Sequence, residues 1–193
     1  MEIIQVTKEN TALYLDGIAK VHMSAYSHGH FTSTFNHEKL KEYNRLLLDN
    51  SDISLVAVED GRVVGFMISG EAVSRGVKEF TRQNRLYLIY KLLLRPDFLA
   101  AKAFGKLKSM ASQSGPVTRY RLLSIATDAS AQSTGVGRQI LAALEDKLRE
   151  RGLDSYGLSV RLDNPRAVQF YQRNGFMVER EQPGALYFRK DLR

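Results

Sequence analysis

Two short segments carry residues whose types and spacing could do chemistry. The first is Gln132-Ser133-Thr134-Gly135-Val136-Gly137-Arg138. Glycines at 135 and 137 let backbone N–H groups come close to a ligand. A helix opening there points the positive end of its dipole outward, and together these features make a phosphate-binding site. The loop lacks the Gly-Lys-Ser/Thr ending of a P-loop, and Ile140 stands where a dinucleotide-binding turn needs its third glycine. The second segment runs from Leu162 to Phe176. Asn164 suits an N-cap, Pro165 the first helical position and Asn174-Gly175 a left-handed stop. Asn164 and Tyr171 fall nearly in line on one helical face, with Ala167 and Val168 between them. A phenol is a proton donor at neutral pH, so Tyr171 is a candidate general acid. The same pattern also describes a capped amphipathic helix with a half-buried tyrosine.

The elements that position these segments can be read from periodicity. Strands are expected at Glu2 to Val6, Ser54 to Val58 and Val63 to Ser69, the last two joined by an Asp60-Gly61 hairpin turn. Further strands are expected at Arg121 to Thr127, Ser155 to Arg161, Phe176 to Glu181 and Ala185 to Lys190. Helices are expected at Asn10 to Ser24, Lys39 to Leu48, Val136 to Arg151 and Pro165 to Arg173, with a polar loop between the first two. The result is one α/β domain over residues 1–193.

The chain has 193 residues, 44% apolar and 25% charged, which excludes disorder and low-complexity repeats. With no cysteine it has no disulfide scaffold, thiolate metal site or cysteine nucleophile. No secretory signal and no membrane span are legible, so a cytoplasmic protein is expected. The net charge of +7 is concentrated. Between Arg75 and Thr118, nine Lys and Arg face only Glu79 and Asp97. Within that span Leu86 to Leu94 is a dense apolar run, read as a buried or interface helix of a basic helical insertion over 75–118. The insertion is a solvated basic face, a lid over an anionic acceptor, or a patch resting on an acidic membrane. No nucleic-acid motif accompanies the charge. Self-association into a homodimer stays open.

Taken together, Q-x-x-G-x-G on a strand–loop–helix and N-x-x-A-x-x-x-Y-x-x-x-G-F before a strand resemble the GCN5-related N-acetyltransferase (GNAT) family over Arg121 to Phe176. Gln132 replaces the family's usual arginine, and Thr127 and Ala129 replace its frequent apolar residue and proline. The resemblance implies a mixed, mostly antiparallel sheet of about seven strands with helices on both faces, and acetyl-CoA as cosubstrate without a metal. It implies that pantetheine pairs with Ile125, Ala126 and Thr127, that the diphosphate sits on Gln132 to Arg138, and that Asn164 contacts the cofactor arm. Tyr171 then protonates the departing CoA thiolate, after direct attack by a small-molecule amine in a ternary complex. A base must first take the amine's proton, and Glu71 and Asp128 are candidates.

The loop with His28, His30 and His37 lies where this family builds part of its acceptor pocket. Tyr26, His28, His30, Thr32 and Ser33 are candidates for holding a polar acceptor, and a plain surface loop is the alternative. Three histidines without cysteine or a close carboxylate pair do not make a metal site. The pattern His-x-x-Ala-Tyr followed by His-Phe-Thr-Ser-Thr-Phe is similar to GNAT members linked with bacterial surface polysaccharide synthesis. That similarity implies an amino sugar, free or nucleotide-linked, as acceptor. Peptide amines, small amine metabolites and a non-catalytic acyl-CoA-binding module are the alternatives.

Overall fold

A computed structural model describes residues 1–26, 30–94, 118–132 and 134–193. His28, Ser133 and the insertion residues 95–117 lie outside the described residues. The described residues form seven strands, paired mostly antiparallel, and six α-helices. The chain divides into two compact units, Met1–Gln83 with Leu122–Gly152 and Asn84–Arg121 with Leu153–Arg193.

In the first unit β1 (Glu2–Gln5) pairs antiparallel with β2 (Ile53–Glu59), and β2 pairs antiparallel with β3 (Arg62–Gly70). The hairpin turn uses Asp60 at φ +50° and Gly61 at φ +75°, the two left-handed residues that match the twist of the strands. β4 (Arg121–Thr127) lies beside β3, and the Asp128 N–H just past it donates to the Val64 carbonyl at 2.8 Å. Five consecutive residues of β2, Ile53 to Ala57, are buried, so both faces of this strand are covered.

One cover consists of α1 (Thr11–Ala25) and α2 (His37–Asp49). Ile18, Val21, Leu47, Val56, Phe66 and Ile68 form the core there. Each such side chain contributes about 1.5–3 kcal/mol by leaving water. α5 (Val136–Glu150) packs against β1, β2 and β3 through Val136, Ile140 and Leu144. α3 (Ser74–Gln83) packs on α2 with Phe80 inside, and exposes Arg75, Lys78 and Arg82. A Cβ at Gly76 would lie 2.4 Å from the Leu46 carbonyl oxygen, so the two helices meet backbone to backbone.

In the second unit β5 (Ser155–Arg161) pairs antiparallel with β7 (Ala185–Asp191), which pairs antiparallel with β6 (Met177–Gln182). Arg121, at the start of β4, pairs in parallel with Gly157. A Cβ at Gly157 would lie 2.4 Å from Arg121 Nη1 and 2.8 Å from the Phe188 carbonyl oxygen, so only glycine leaves room there. α6 (Pro165–Arg173) ends at Gly175, φ +82°.

Of the two readings of the apolar run at Leu86 to Leu94, a buried or an interface helix, the buried one is not what is seen. The run forms α4 (Arg85–Leu93), where Leu88 is buried but Leu86, Ile89, Tyr90, Leu93 and Leu94 are exposed. A helix apolar all round needs cover on every side, and a nine-residue surface helix inserts only one row. The expected loop between α1 and α2 also contains a 3₁₀ turn, Phe31–Thr34, with His30 at its N-cap.

Candidate active site

The glycine loop is shaped by two missing side chains. Gly135 stands at φ +92°, a conformation that L side chains rarely adopt, and α5 starts at the next residue. Among the described residues a Cβ there would meet nothing nearer than Gln139 Nε2 at 4.0 Å, so they leave the space in front of the turn open. The first N–H groups of α5 have no partner within the helix, and Gly135 offers no side chain to cap them. The second device is Gly65 on β3. A Cβ there would lie 2.9 Å from Ile140 Cδ1, 3.0 Å from Val136 Cγ1 and 3.3 Å from the Ala126 carbonyl oxygen. Its absence lets the start of α5 settle against β3 beside β4. Thr134 closes the loop from behind, donating to the Ala131 carbonyl at 2.7 Å. Thr134, Gly135 and Arg138 are exposed, Gln132 and Gly137 half-buried and Val136 buried. Open amides, a left-handed glycine and a cation in the first turn fit a diphosphate.

At the end of β4, Ile125 and Thr127 are half-buried and Ala126 buried. The Tyr26 hydroxyl donates to the Ile125 carbonyl at 3.2 Å and lies 3.4 Å from Ser124 Oγ. Burial raises the pKa of this phenol, so Tyr26 is a neutral donor to the strand. Asp128 accepts from Ser130 Oγ at 2.5 Å, Ser130 N at 3.0 Å and Ser24 Oγ at 3.0 Å. The Ser130 hydroxyl bond leads the effects that hold its pKa below the usual carboxylate value. A carboxylate so held is a weak proton acceptor. Glu71 follows β3 with its side chain exposed, while its backbone N–H donates to Asp52 Oδ2 at 2.7 Å.

The polar loop conceals a buried chain that periodicity did not reveal. Asn44 Nδ2 donates to the Leu40 carbonyl at 2.8 Å, and Asn44 Oδ1 lies 3.1 Å from His22 Nδ1. His22 Nε2 lies 3.1 Å from Thr32 Oγ1, which is 2.7 Å from His30 Nδ1. His22, Asn44 and Thr32 are all buried. Burial drives the His22 pKa down to about 4, so its imidazole is neutral at physiological pH. Thr32 thus sits inside between two imidazoles rather than on the loop surface. The His30 ring packs on Tyr26 with centroids 4.9 Å apart. His37 stands apart from this group, 2.8 Å from Asp16. One signal for the chain was available, because His22 and Asn44 fall on the apolar faces of α1 and α2, where an unpaired polar group is costly.

In the second unit Asn164 Oδ1 accepts from the Ala167 N–H at 3.1 Å, which is the expected N-cap. Tyr171 is buried, more deeply than its helical pattern suggests. The rings of Phe170, Phe176 and Phe188 enclose it at centroid distances of 5.2, 5.3 and 6.2 Å. Among the described residues no cluster of His, Asp or Glu side chains is arranged to hold a metal ion.

Residues 16–176 match the family model described as Acetyltransferase (GNAT) family, well over half of the chain. This chain belongs to the GNAT family. Among curated proteins, this GNAT chain is 35% identical over 72 residues to the [Ribosomal protein bS18]-alanine N-acetyltransferase of Escherichia coli (strain K12), covering 37% of this chain and 49% of that one. It is 36% identical over 100 residues to the tRNA(Met) cytidine acetyltransferase TmcA of Thermococcus sp. (strain AM4), covering 50% of this chain and 10% of that one. The chain therefore spans half or less of these curated relatives. Among solved structures, the PaiA N-acetyltransferase of Thermoplasma acidophilum in complex with coenzyme A superposes with a TM-score of 0.58 at 16% identity, covering 98% of each chain. That likeness establishes the GNAT fold.

Proposed function

We propose that this protein is a GNAT N-acetyltransferase that moves the acetyl group of acetyl-CoA to a primary amine by direct attack in a ternary complex. The carrying observation is the left-handed, Cβ-free turn at Gly135 opening onto the uncapped start of α5. In this reading the amides of Gln132 to Arg138 bind the diphosphate, with Ser133 included by sequence. Ile125, Ala126 and Thr127 pair with the pantetheine arm, and Asn164 contacts it. Acetyl-CoA supplies the acyl group as an activated thioester. Tyr171 gives its phenolic proton to the departing thiolate, the role its position in the family motif implies. Having no cysteine, the chain forms no cysteinyl acyl-enzyme.

The acceptor we favour is an amino sugar, free or nucleotide-linked. The exposed cations of α3, Arg75, Lys78 and Arg82, favour an anionic acceptor over a polycation. A peptide N-terminus is the second reading, favoured by the similarity to the bS18-alanine N-acetyltransferase. Thiol release from acetyl-CoA across nucleotide-linked amino sugars, free amino sugars, amino acids, alanine-initiated peptides and polyamines separates them. With no cysteine in the chain, every thiol detected comes from CoA. Release with amino sugars supports the first reading, and release with the peptides alone supports the second. Silence with every amine, while acetyl-CoA still binds, would remove the transferase reading.

A further inference from the structure

We infer that the outward face of α4 is a docking surface for an anionic lipid membrane, where Leu86, Ile89, Tyr90 and Leu93 enter the bilayer surface while Arg85 and Lys91 meet lipid phosphates. This surface is independent of the transferase reading, and testing it needs neither acetyl-CoA nor an amine.

The helix is held from its inner side. Asn84 and Leu88 are buried one turn apart, and the Leu88 N–H donates to the Asn84 carbonyl at 2.9 Å. The opposite face is left to solvent. Among the described residues Leu88 is 9% exposed, whereas Leu86 is 83% and Leu93 68% exposed, with Ile89 and Tyr90 exposed between them. The four outward residues stand at i, i+3, i+4 and i+7, so they form one continuous stripe rather than scattered apolar side chains. Exposed Leu94 extends the stripe past the helix end. A contiguous apolar stripe left to water marks a contact surface.

Charge decides what covers it. At about 3.6 residues per turn, Arg85 falls on one flank of the stripe and Lys91 on the other. Arg85 is exposed, and Lys91 Nζ lies 5.6 Å from the Tyr87 ring centroid. Their aliphatic stems can follow the stripe while the charged heads reach an anionic plane. From Phe80 to Pro96 the sequence has four cations and no carboxylate. A second copy of α4 laid on the first would set like charges against each other. Residues 95–117 of the chain match no better in charge, with Arg95, Lys102, Lys106 and Lys108 against Asp97 alone. An anionic lipid surface complements both parts at once, with acyl chains under the stripe and phosphates beside the cations. Tyr90, in mid-stripe, carries an amphipathic ring suited to headgroup depth. Among the described residues no helix is long and apolar enough to cross a bilayer, and α4 has nine residues, so it lies in the surface.

The test uses the whole protein with vesicles of phosphatidylcholine, either alone or mixed in equal parts with phosphatidylglycerol. The protein should sediment with the mixed vesicles and not with phosphatidylcholine alone. Binding should be lost at about 1 M salt, where the screening length falls to about 3 Å. The chain has no tryptophan, so Tyr90→Trp introduces a single indole that reports its own depth. Its emission should shift to the blue on the mixed vesicles and be quenched by lipids brominated along the acyl chain. Leu86→Ser with Leu93→Ser keeps every charge and should weaken vesicle binding about 10²-fold, with the melting temperature unchanged. Arg85→Gln with Lys91→Gln keeps the stripe and should weaken it about 10–30-fold. Binding that survives the leucine pair, or an unshifted emission in Tyr90→Trp, would overturn the inference, because net charge alone then holds the protein to lipid. A protein indifferent to the mixed vesicles but dimeric until the leucine pair is changed would overturn it in favour of a second copy. No vesicle binding together with a lower melting temperature in the leucine pair would overturn it in favour of a contact within the chain.

Discussion

Replacing Gly135 with alanine tests the glycine turn in a way that separates backbone strain from contact. A Cβ at 135 meets nothing closer than 4.0 Å among the described residues, so they add no crowding. The whole effect comes from holding an L residue at φ +92°, which costs about 1–2 kcal/mol. Gly61 provides the control. It too has positive φ and an open Cβ position, but it lies at the tip of the β2–β3 hairpin. Gly61→Ala should lower Tm by about 2–8 °C and leave acetyl-CoA affinity unchanged. Gly135→Ala can relax its loop when unliganded, but must recover the strained shape to present its amides. Its strain therefore divides between stability and affinity, with Kd for acetyl-CoA rising by up to about 5–30-fold. Calorimetric titration and thermal melts on both variants measure the two parts. If Gly135→Ala loses stability like Gly61→Ala yet binds acetyl-CoA as wild type does, the turn is not the diphosphate cradle.

Four other outcomes are expected. Tyr171→Phe keeps the ring packed among Phe170, Phe176 and Phe188, so melts should change little while thiol release falls about 10²-fold with acetyl-CoA still bound. Gly65→Ala drives a methyl toward Val136 and Ile140, and should weaken acetyl-CoA binding by displacing the start of α5, seen by titration. The depressed His22 pKa means that the unfolded chain binds a proton the folded chain refuses between pH 6.5 and about 4. Stability is thus full above pH 6.5 and falls with pH in that window, by about 2 kcal/mol at pH 5. Urea unfolding should follow that slope and lose it in His22→Gln. Phe66→Ala, at the centre of the α1–α2 face of the sheet, should cost about 3–5 kcal/mol in the same assay.

The parts of the fold legible in the sequence were those whose signals are local. Asp60-Gly61, Asn164-Pro165 and Gly175 each dictate a backbone conformation within two or three residues, and each stands where that chemistry requires. The glycine loop was legible for the same reason. Two kinds of feature were not. Whether α4 lies inside or outside depends on what the rest of the chain brings against it, and an apolar run carries no record of that. The Asn44–His22–Thr32–His30 chain joins residues on α2, α1 and a 3₁₀ turn through side-chain hydrogen bonds, so no spacing rule can register it. The signal that did exist, polar residues on apolar helical faces, says only that a partner must be present. It does not say which one.

The contact at Gly76 sets where the charge of α3 can stand. Arg75, Lys78 and Arg82 are displayed by a helix whose separation from α2 is fixed by a single hydrogen atom in place of a methyl group. Any larger residue at 76 must lift the helix off the Leu46 carbonyl and move the three cations with it, without altering one of them. The electrostatic field around α3 is therefore tuned at a buried, uncharged position. A Gly76→Ala variant shifts the position of these cations while the net charge stays the same. Surface composition alone is a poor guide to that field, because the residue that aims it is invisible from outside.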